Sequence, residues 1–493
     1  MRAKQVLDAG LTRREFLRRA VGGSSAALLS GGFGVSGCGN RPPRREKPNI
    51  ILVSIDTLRA DHLGCYGYER DTSRNIDRFA AESILYTNAY AATPWTLPSH
   101  AGMLTGIHPF ELGMYTEKSR IPDEAPLAAE FLKSAGYQTA AFVDSAPKGL
   151  LGGERGFARG FDRFDHAPFR PDLQYKYDIA VTVEEAQKWL TRIDKNRPFF
   201  LFLHTKSVHD TPNVKDGDPR GFPYDKPQPY RLRYLADEQA QFNWRPPFGI
   251  YLRYHNVLLA NGKLKPKDYP PQRLEALKGQ YDAGIYYTDE YFAKLLVILE
   301  QMGLSVNTIV ILTADHGEAF LEHRFFHHIE VYNQLLHVPL IVRLPYQHGR
   351  RTIETPVALE DIVPTILNLA DIDVPKVLTS KPLPTEPVPV RAERPFYGYY
   401  QFGSNVFLDE FSLLKGDWKL VYLKYSEGKW QAELYNITND RGEFNPVVGR
   451  DDIETNMRKS LLKWMTTQPK FGSADITLDP KTIEHLRSLG YVD

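Results

Sequence analysis

The chain of 493 residues reads as an α/β fold: a mostly parallel central sheet covered by helices on both faces, then a small C-terminal subdomain of antiparallel sheet plus helix. Three observations carry that reading. Two β-branched apolar runs, Ile51-Leu-Val-Ser-Ile55 and Ile309-Val-Ile-Leu-Thr313, have the length and continuity of strands buried in a parallel sheet. Strand-like and helix-like segments alternate through residues 48–373, as a helix-covered sheet requires. Beyond a Pro-rich stretch, short strand patterns follow one another without intervening helices.

Taken in chain order, residues 1–47 hold ten Lys/Arg against three Asp/Glu, a net +7, which leaves −6 for the rest of a chain whose total is +1. A mildly acidic body argues against a nucleic-acid partner. The basic excess belongs to a targeting segment. Thr12-Arg-Arg-Glu-Phe-Leu-Arg18 matches the twin-arginine export pattern, a weakly apolar stretch follows from Ala20 to Gly37, and Val35-Ser-Gly-Cys38 resembles a bacterial lipoprotein cleavage box. A transmembrane anchor is the alternative, although 18 residues is near the minimum span. Residues 1–37 are therefore expected to be a signal and 38–47 a tether. The expected location is the periplasm or outer surface of a bacterial cell, with lipid at Cys38. The other cysteine of the two is Cys65. With Cys38 lipidated no disulfide forms, and stability rests on the core and any metal.

Buried strands are expected at 49–55, 84–90, 137–143, 198–204, 307–313 and 339–343. Helices are expected over 127–135, ended by Gly136, and from about 272 to 302, ended by Gly303. Residues 205–271 break the rhythm. They are rich in Pro, Tyr, Arg and Lys without sustained periodicity, suiting either a wall around an anionic substrate or a solvated insertion. Residues 374–395 form a Pro-rich linker. In 396–493, strands are expected at Trp418–Tyr422 and Ala432–Tyr435, with a terminal helix from Lys481 to Leu489. No internal repeat is present.

Ligands of open α/β sheets bind beyond the carboxyl ends of the strands, and both long apolar runs end there in carboxylates. Asp56 follows the first. Asp315 and His316 follow the second, with Gly317 permitting close backbone approach. A salt-bridged Asp with a capping His is the plainer alternative. His204 and His209 follow the apolar Pro198–Leu203 run, and His323, His327 and His328 follow the Asp-His pair. With His100, His108 and His337, nine of the 14 histidines lie in or beside these segments, a density that favours metal or oxyanion chemistry. Thr96-Leu-Pro-Ser-His100 opens an expected helix over Ser99–Leu104, with Pro98 in its first turn and Gly106 as its stop. The Thr96 hydroxyl would then sit where free N–H groups and the helix dipole attract an anion. It acts either as an N-cap or as a nucleophile made competent by a metal.

These landmarks resemble the sulfatase family of the alkaline phosphatase superfamily, across residues 48–493. They are Pro48 to Gly67, Thr96 to Gly106, Thr313-Ala-Asp-His-Gly317, His327 to Pro339, Asp361 to Ala370 and Leu486-Arg-Ser-Leu-Gly-Tyr491. Four positions depart from the family pattern together. The Cys or Ser that sulfatases oxidise to formylglycine is Thr96, the motif arginine is His100, the tandem Asp-Asp is Asp56-Thr57, and the Asp-Asn or Asp-Gln pair is Asp315-His316. Cys65 lacks the neighbouring Pro and Arg of the formylglycine motif.

The changed segment is similar to the Thr-Phe-Pro-Asn-His of nucleotide pyrophosphatases and phosphodiesterases. By that resemblance Asp56, Thr96, Asp315 and His316 hold one divalent metal, with Zn or Mn favoured and Ca possible. A second site drawn from His204, His209 and the 323–328 cluster stays open. The resemblance implies Thr96 as nucleophile, with His100, His209 and His327 stabilising equatorial oxygens or protonating the leaving oxygen. His327 is preferred to His328 by its spacing to Leu-His-Val-Pro. The expected activity is metal-dependent hydrolysis of sulfate or phosphate esters without formylglycine. An envelope phosphotransferase and a non-catalytic surface lipoprotein are the alternatives. The expected partners are an anionic ester substrate and the membrane, through the N-terminal lipid.

Overall fold

The computed structural model describes residues 47–166, 178–209, 248–387, 394–400, 409–425 and 429–466, with isolated positions between 224 and 235 and at 470, 471 and 475. The twin-arginine segment, Cys38, much of the 205–271 stretch and the expected helix at 481–489 lie outside the described residues.

The central sheet is built from β1 (Asn49–Ile55), β2 (Ile84–Tyr90), β3 (Gln138–Val143), β4 (Arg163–His166), β5 (Phe199–Thr205) and β6 (Thr308–Thr313). After a small ribbon, β7 (Ala319–Phe320) with β8 (Phe326–His327), it is completed by β9 (His337–Arg343), β10 (Arg351–Ile353) and β11 (Val357–Ala358). The strand order is β10-β2-β9-β6-β1-β5-β3-β4, with β11 also on β2. Only β9 runs antiparallel to its neighbours, β2 and β6; the other pairings are parallel. All six strands expected from the sequence form, close to their expected bounds. The reason is burial. Ile50, Ile51, Leu52 and Ile55 of β1 and Ile309 to Leu312 of β6 have no exposed surface, each such side chain contributing about 2 kcal/mol.

The flanking helices are α1 (Arg74–Ala81), α2 (Thr96–Thr105), α3 (Ala128–Ser134), α4 (Ile179–Leu190), α5 (Phe248–Ala260), α6 (Pro271–Gln301), α7 (Asn333–Leu336) and α8 (Ile362–Leu369). The long α6 opens on Pro271, whose missing N–H costs nothing in the first turn. In α4 the Asp178 carboxylate caps the Ala180 N–H at 2.8 Å. No helix was expected in the 205–271 stretch, yet α5 forms there. It carries no clean apolar stripe, and tertiary bonds fix it: Asn256 Nδ2 donates to the Phe326 carbonyl at 3.0 Å while the Phe326 N–H donates to Asn256 Oδ1 at 2.9 Å.

The C-terminal subdomain is an antiparallel sheet in the order β12 (Phe396–Tyr400), β13 (Asp409–Lys415), β14 (Trp418–Lys424) and β15 (Trp430–Asn436). It is covered by α9 (Asp451–Met465), where the sequence reading had no helix. Only Met457 and Leu461 of α9 are buried, a stripe too thin to see in the sequence. They join Phe110, Tyr399, Phe411, Leu413 and Leu420 in a second core.

Candidate active site

The site lies beyond the C-terminal ends of β1, β5 and β6. The parallel register sets Ser54 opposite His204 on one side and Thr313 on the other, so Asp56 and Asp315 leave the sheet as neighbours. One ligand atom each from Asp56, Asp315 and His316 falls within a mutual 4.8 Å, and all three residues are fully buried. Gly317 permits this turn: a Cβ there would stand 1.9 Å from the Gln334 carbonyl oxygen. Thr57 holds a left-handed backbone (φ 62) with its N–H on Asp315 Oδ1 at 3.2 Å. Its hydroxyl donates to the Asp56 carbonyl at 2.7 Å.

His316 presents a lone pair to this cluster. Its Nδ1 meets the Gly317 carbonyl at 2.9 Å; a carbonyl only accepts, so Nδ1 carries the proton. Nε2 then faces Asp315 Oδ2 at 3.3 Å, Asp56 Oδ1 at 3.7 Å and Thr96 Oγ1 at 3.5 Å. Burial, with His328 beside it, pulls the His316 pKa down to about 3, which keeps the ring neutral. Thr96 is the first residue of α2; the N-cap position is Trp95, so the plain capping role does not apply. The helix is tied to the cluster by Ser99 Oγ, which donates to the Asp315 carbonyl at 2.6 Å.

The electrostatics of the pair are opposed. Burial would raise the Asp56 carboxyl, but the fields of His209 and Lys206 and the contact with His204 hold it well below the usual range. Burial and the adjacent Asp56 push Asp315 well above it. Among the described residues, no hydrogen bond reaches either Asp56 oxygen or Asp315 Oδ2. Two buried carboxylates with unsatisfied oxygens, one imidazole lone pair and one hydroxyl form a donor set that fits a cation. The imidazole suits Zn or Mn better than Ca, which takes about six to eight oxygens.

Around this cluster, Lys206 Nζ lies 3.8 Å and His204 Nε2 3.5 Å from Asp56 Oδ2. Asp144, whose carboxyl burial raises to about 7, accepts from the Lys206 N–H and the Thr205 hydroxyl at 3.1 and 3.2 Å and so shapes the turn leading to His209. The His209 ring lies 5.2 Å from that of His328, which is itself 4.6 Å from His316. A second compact group, Glu318 with His327 and His328, adjoins the first. The C-terminal subdomain clamps the turn that carries these histidines. Glu410 takes Arg324 Nη2 at 2.5 Å and the Val331 N–H at 3.0 Å, and Tyr332 donates to Glu433 at 2.6 Å.

The structure thus brings Asp56, Thr96, Asp315, His316 and His209 into one neighbourhood. His100 stands apart from the role expected of it. Its Nδ1 donates to the Thr96 carbonyl at 2.9 Å, its Nε2 accepts from Ser54 Oγ at 2.9 Å, and it is fully buried. Both nitrogens are engaged, so His100 positions Thr96 and does not face a substrate. Of the pair at 327 and 328, the ring of His328 lies against His316, not that of His327, which is 6.0 Å beyond His328. His108, His323 and His337 bond to the Tyr397, Gly442 and Thr87 carbonyls away from the site. Sequence reasoning passed over Lys206, Glu318 and Ser54. Lys206 was within its reach, one residue past the end of β5.

Comparison with known proteins gives a consistent result. The family model described as sulfatase matches residues 48–372, and the model described as N-sulphoglucosamine sulphohydrolase, C-terminal, matches residues 321–470. The chain is 27% identical to an uncharacterized sulfatase, YidJ, of Escherichia coli, over 85% of this chain and 87% of that one. Among solved structures, one in complex with D-glucosamine-2-N,6-O-disulfate aligns with a TM-score of 0.64 at 21% identity, covering 90% of this chain and 98% of the other. A phosphonate monoester hydrolase from Silicibacter pomeroyi aligns with a TM-score of 0.62 at 18% identity, covering 87% and 99%.

Proposed function

The chain belongs to the sulfatase family and is an ester hydrolase of that family; within that frame we propose that Thr96, not a formylglycine, is its attacking group, and that it cleaves sulfate or phosphate esters with a divalent ion. The observation that carries this reading is the place of the Thr96 hydroxyl. Thr96 opens α2 with its hydroxyl 3.5 Å from His316 Nε2, beside three carboxylate oxygens, both of Asp56 and Oδ2 of Asp315, that have no hydrogen-bond partner among the described residues.

An ion held by Asp56, Thr96, Asp315 and His316 would supply positive charge that polarises the ester and lowers the hydroxyl pKa. Thr96 Oγ1 forms the bond to sulfur or phosphorus in line with the departing oxygen, and its own proton leaves to solvent. Lys206 and His209 hold the non-bridging oxygens, and His209 protonates the departing oxygen. His100, bonded to the Thr96 carbonyl, holds the nucleophile's backbone in place. Water then cleaves the threonyl ester, releasing the acid and restoring the hydroxyl. Neighbours of this fold include both a complex with a disulfated glucosamine and a phosphonate monoester hydrolase, which supports an anionic ester, with the metal donor set leaning toward phosphoryl groups. The twin-arginine pattern and the box ending at Cys38 support an exported, lipid-anchored enzyme.

The test is turnover of p-nitrophenyl sulfate, phosphate monoester and phosphodiester by the full-length protein with added Zn2+, Mn2+ or Ca2+. Turnover that requires the ion and drops at least about a thousandfold in Thr96→Ala supports the reading. Turnover that survives Thr96→Ala overturns it.

A further inference from the structure

We propose that the cavity between α2 and the C-terminal subdomain binds a small primary amine, held as its ammonium ion by Glu360. The cavity measures about 420 Å3 with its mouth included. Its walls include Tyr90 at the end of β2, Glu360, Ser380, Arg394, and Phe396 and Tyr397 of β12.

Glu360 is the group that needs a partner. It is 4% exposed, and among the described residues the donor that bears on its carboxylate is its own N–H. The nearby cation, Arg394, is already engaged. Its Nη1 donates to both oxygens of Asp361, at 2.8 and 2.6 Å, which makes that pair neutral. Burial, with the charges of Asp361 and Glu111, raises the Glu360 carboxyl to about 7, against its own N–H and the field of Arg394. A buried carboxylate without a counter-ion is costly, and a cation entering the cavity relieves that cost.

The other walls choose the kind of cation. Ser380 Oγ gives its proton to the Gly106 carbonyl at 2.6 Å, so toward the cavity it accepts. His108 adds no N–H: its Nε2 donates to the Tyr397 carbonyl at 3.1 Å, and its Nδ1 accepts from Phe110 at 3.2 Å. Burial keeps that ring neutral, with its pKa down to about 4. An –NH3+ group brings three donors to these acceptors. The Tyr90 and Phe396 rings, with centroids 5.9 Å apart, suit an ammonium and its alkyl stem. One carboxylate and one hydroxyl are too few ligands for a divalent metal.

The cavity also touches the helix that carries Thr96. A Cβ at Gly102 of α2 would lie 3.3 Å from Glu360 Oε1, about 9 Å along the helix from Thr96. The amine is either a free effector or an arm of the ester substrate. The inference rests on neither Thr96 as nucleophile nor a metal.

The test is calorimetric titration of the full-length protein with propylammonium, propan-1-ol and tetramethylammonium. One saturable site for propylammonium is expected. Binding should be at least about tenfold weaker for the alcohol, which lacks the charge, and for tetramethylammonium, which lacks N–H donors. Glu360→Gln keeps the shape and removes the charge, so it should melt no lower than the parent and bind propylammonium at least about tenfold more weakly. No saturable binding up to about 50 mM, or equal binding of alcohol and amine, overturns the site. So does a folded Glu360→Gln that keeps the parent affinity, since the amine then sits on another carboxylate. In turnover assays, propylammonium that competes with the ester assigns the amine to the substrate, and a change in kcat without competition assigns it to an effector. An effect on turnover that Glu360→Gln leaves in place overturns both.

Discussion

Replacing Asp315 by Asn separates a cation site from an ordinary buried acidic pair. Asp315 Oδ1 accepts the Thr57 and His316 N–H groups at 3.2 and 2.9 Å, and an Asn oxygen keeps both bonds. Among the described residues Oδ2 has no hydrogen bond; it lies 3.3 Å from His316 Nε2 and 3.4 Å from His100 Nδ1, so an Asn NH2 gains an acceptor in the first and faces a donor in the second. The substitution also removes one of two like charges whose ligand atoms lie within 4.8 Å. At an effective dielectric of about 20 that repulsion is worth about 3.5 kcal/mol. The metal-free Asp315 takes up a proton to escape it.

The pH dependence follows from the same proton. Burial and Asp56 raise the folded Asp315 pKa above its ordinary 3.8. Between those values the folded chain holds a proton that the unfolded chain has lost. Metal-free stability therefore falls as pH rises through the window, by up to about 1.4 kcal/mol per unit. Asn does not titrate, so its advantage grows with pH. Zinc at a hundredfold its dissociation constant stabilises the wild type by about 2.7 kcal/mol and the variant far less. Thermal melts at pH 6 and 8, with EDTA or with Zn2+, are expected to show Asp315→Asn above the wild type without metal, most at pH 8, and below it with zinc. A variant that melts below the wild type by the same margin in both conditions would refute the reasoning.

Three other outcomes are expected. Glu410→Ala removes one of the two carboxylate partners of Arg324, which keeps Glu330, together with the acceptor of the Val331 N–H, and costs about 2 kcal/mol; Glu410→Gln, whose single carbonyl oxygen can accept only one of these two bonds, should cost about half of that in the same denaturant melt. Gly317→Ala sets a methyl 1.9 Å from the Gln334 oxygen, while the Gly317 N–H is bonded to Leu335 at 2.8 Å. Neither side of that contact can yield alone, so a loss of about 3 kcal/mol or more should appear as a loss of soluble protein. Burial pushes Glu330 up from 4.5 to about 8, with Arg324 opposing and Glu410 adding to it. The folded chain thus keeps a proton that the unfolded chain loses, and wild-type melting temperature should fall between pH 5 and 8; Glu330→Gln should flatten that slope.

Much of the fold and half of the site could be read in the chain itself, for a local reason. A strand buried on both faces must be apolar throughout, so β1 and β6 announce their limits, and the first polar residues after them, Asp56 and Asp315-His316, fall at the rim of the sheet. Pro98 and Gly106 bracket α2 in the same local way, which places Thr96 in its first turn. The rest depended on residues far apart in sequence. Nothing local foretells that Asn256 would fold α5 against Phe326, or that Glu410 would hold the turn after Arg324. At His327 and His328 the left-handed backbone at His327 accompanies the placement of the His328 ring against His316. That conformation is costly by itself and stands beside contacts drawn from two other parts of the chain. His100 shows the same division. Its helical position is local, but its exclusion from a substrate-facing role comes from Ser54 on a neighbouring strand. Composition and spacing placed the carboxylates, the hydroxyl and the imidazoles near one rim. Their partners, and so their lone pairs and protons, were decided by tertiary packing, because a hydrogen bond is set by where both of its atoms end up.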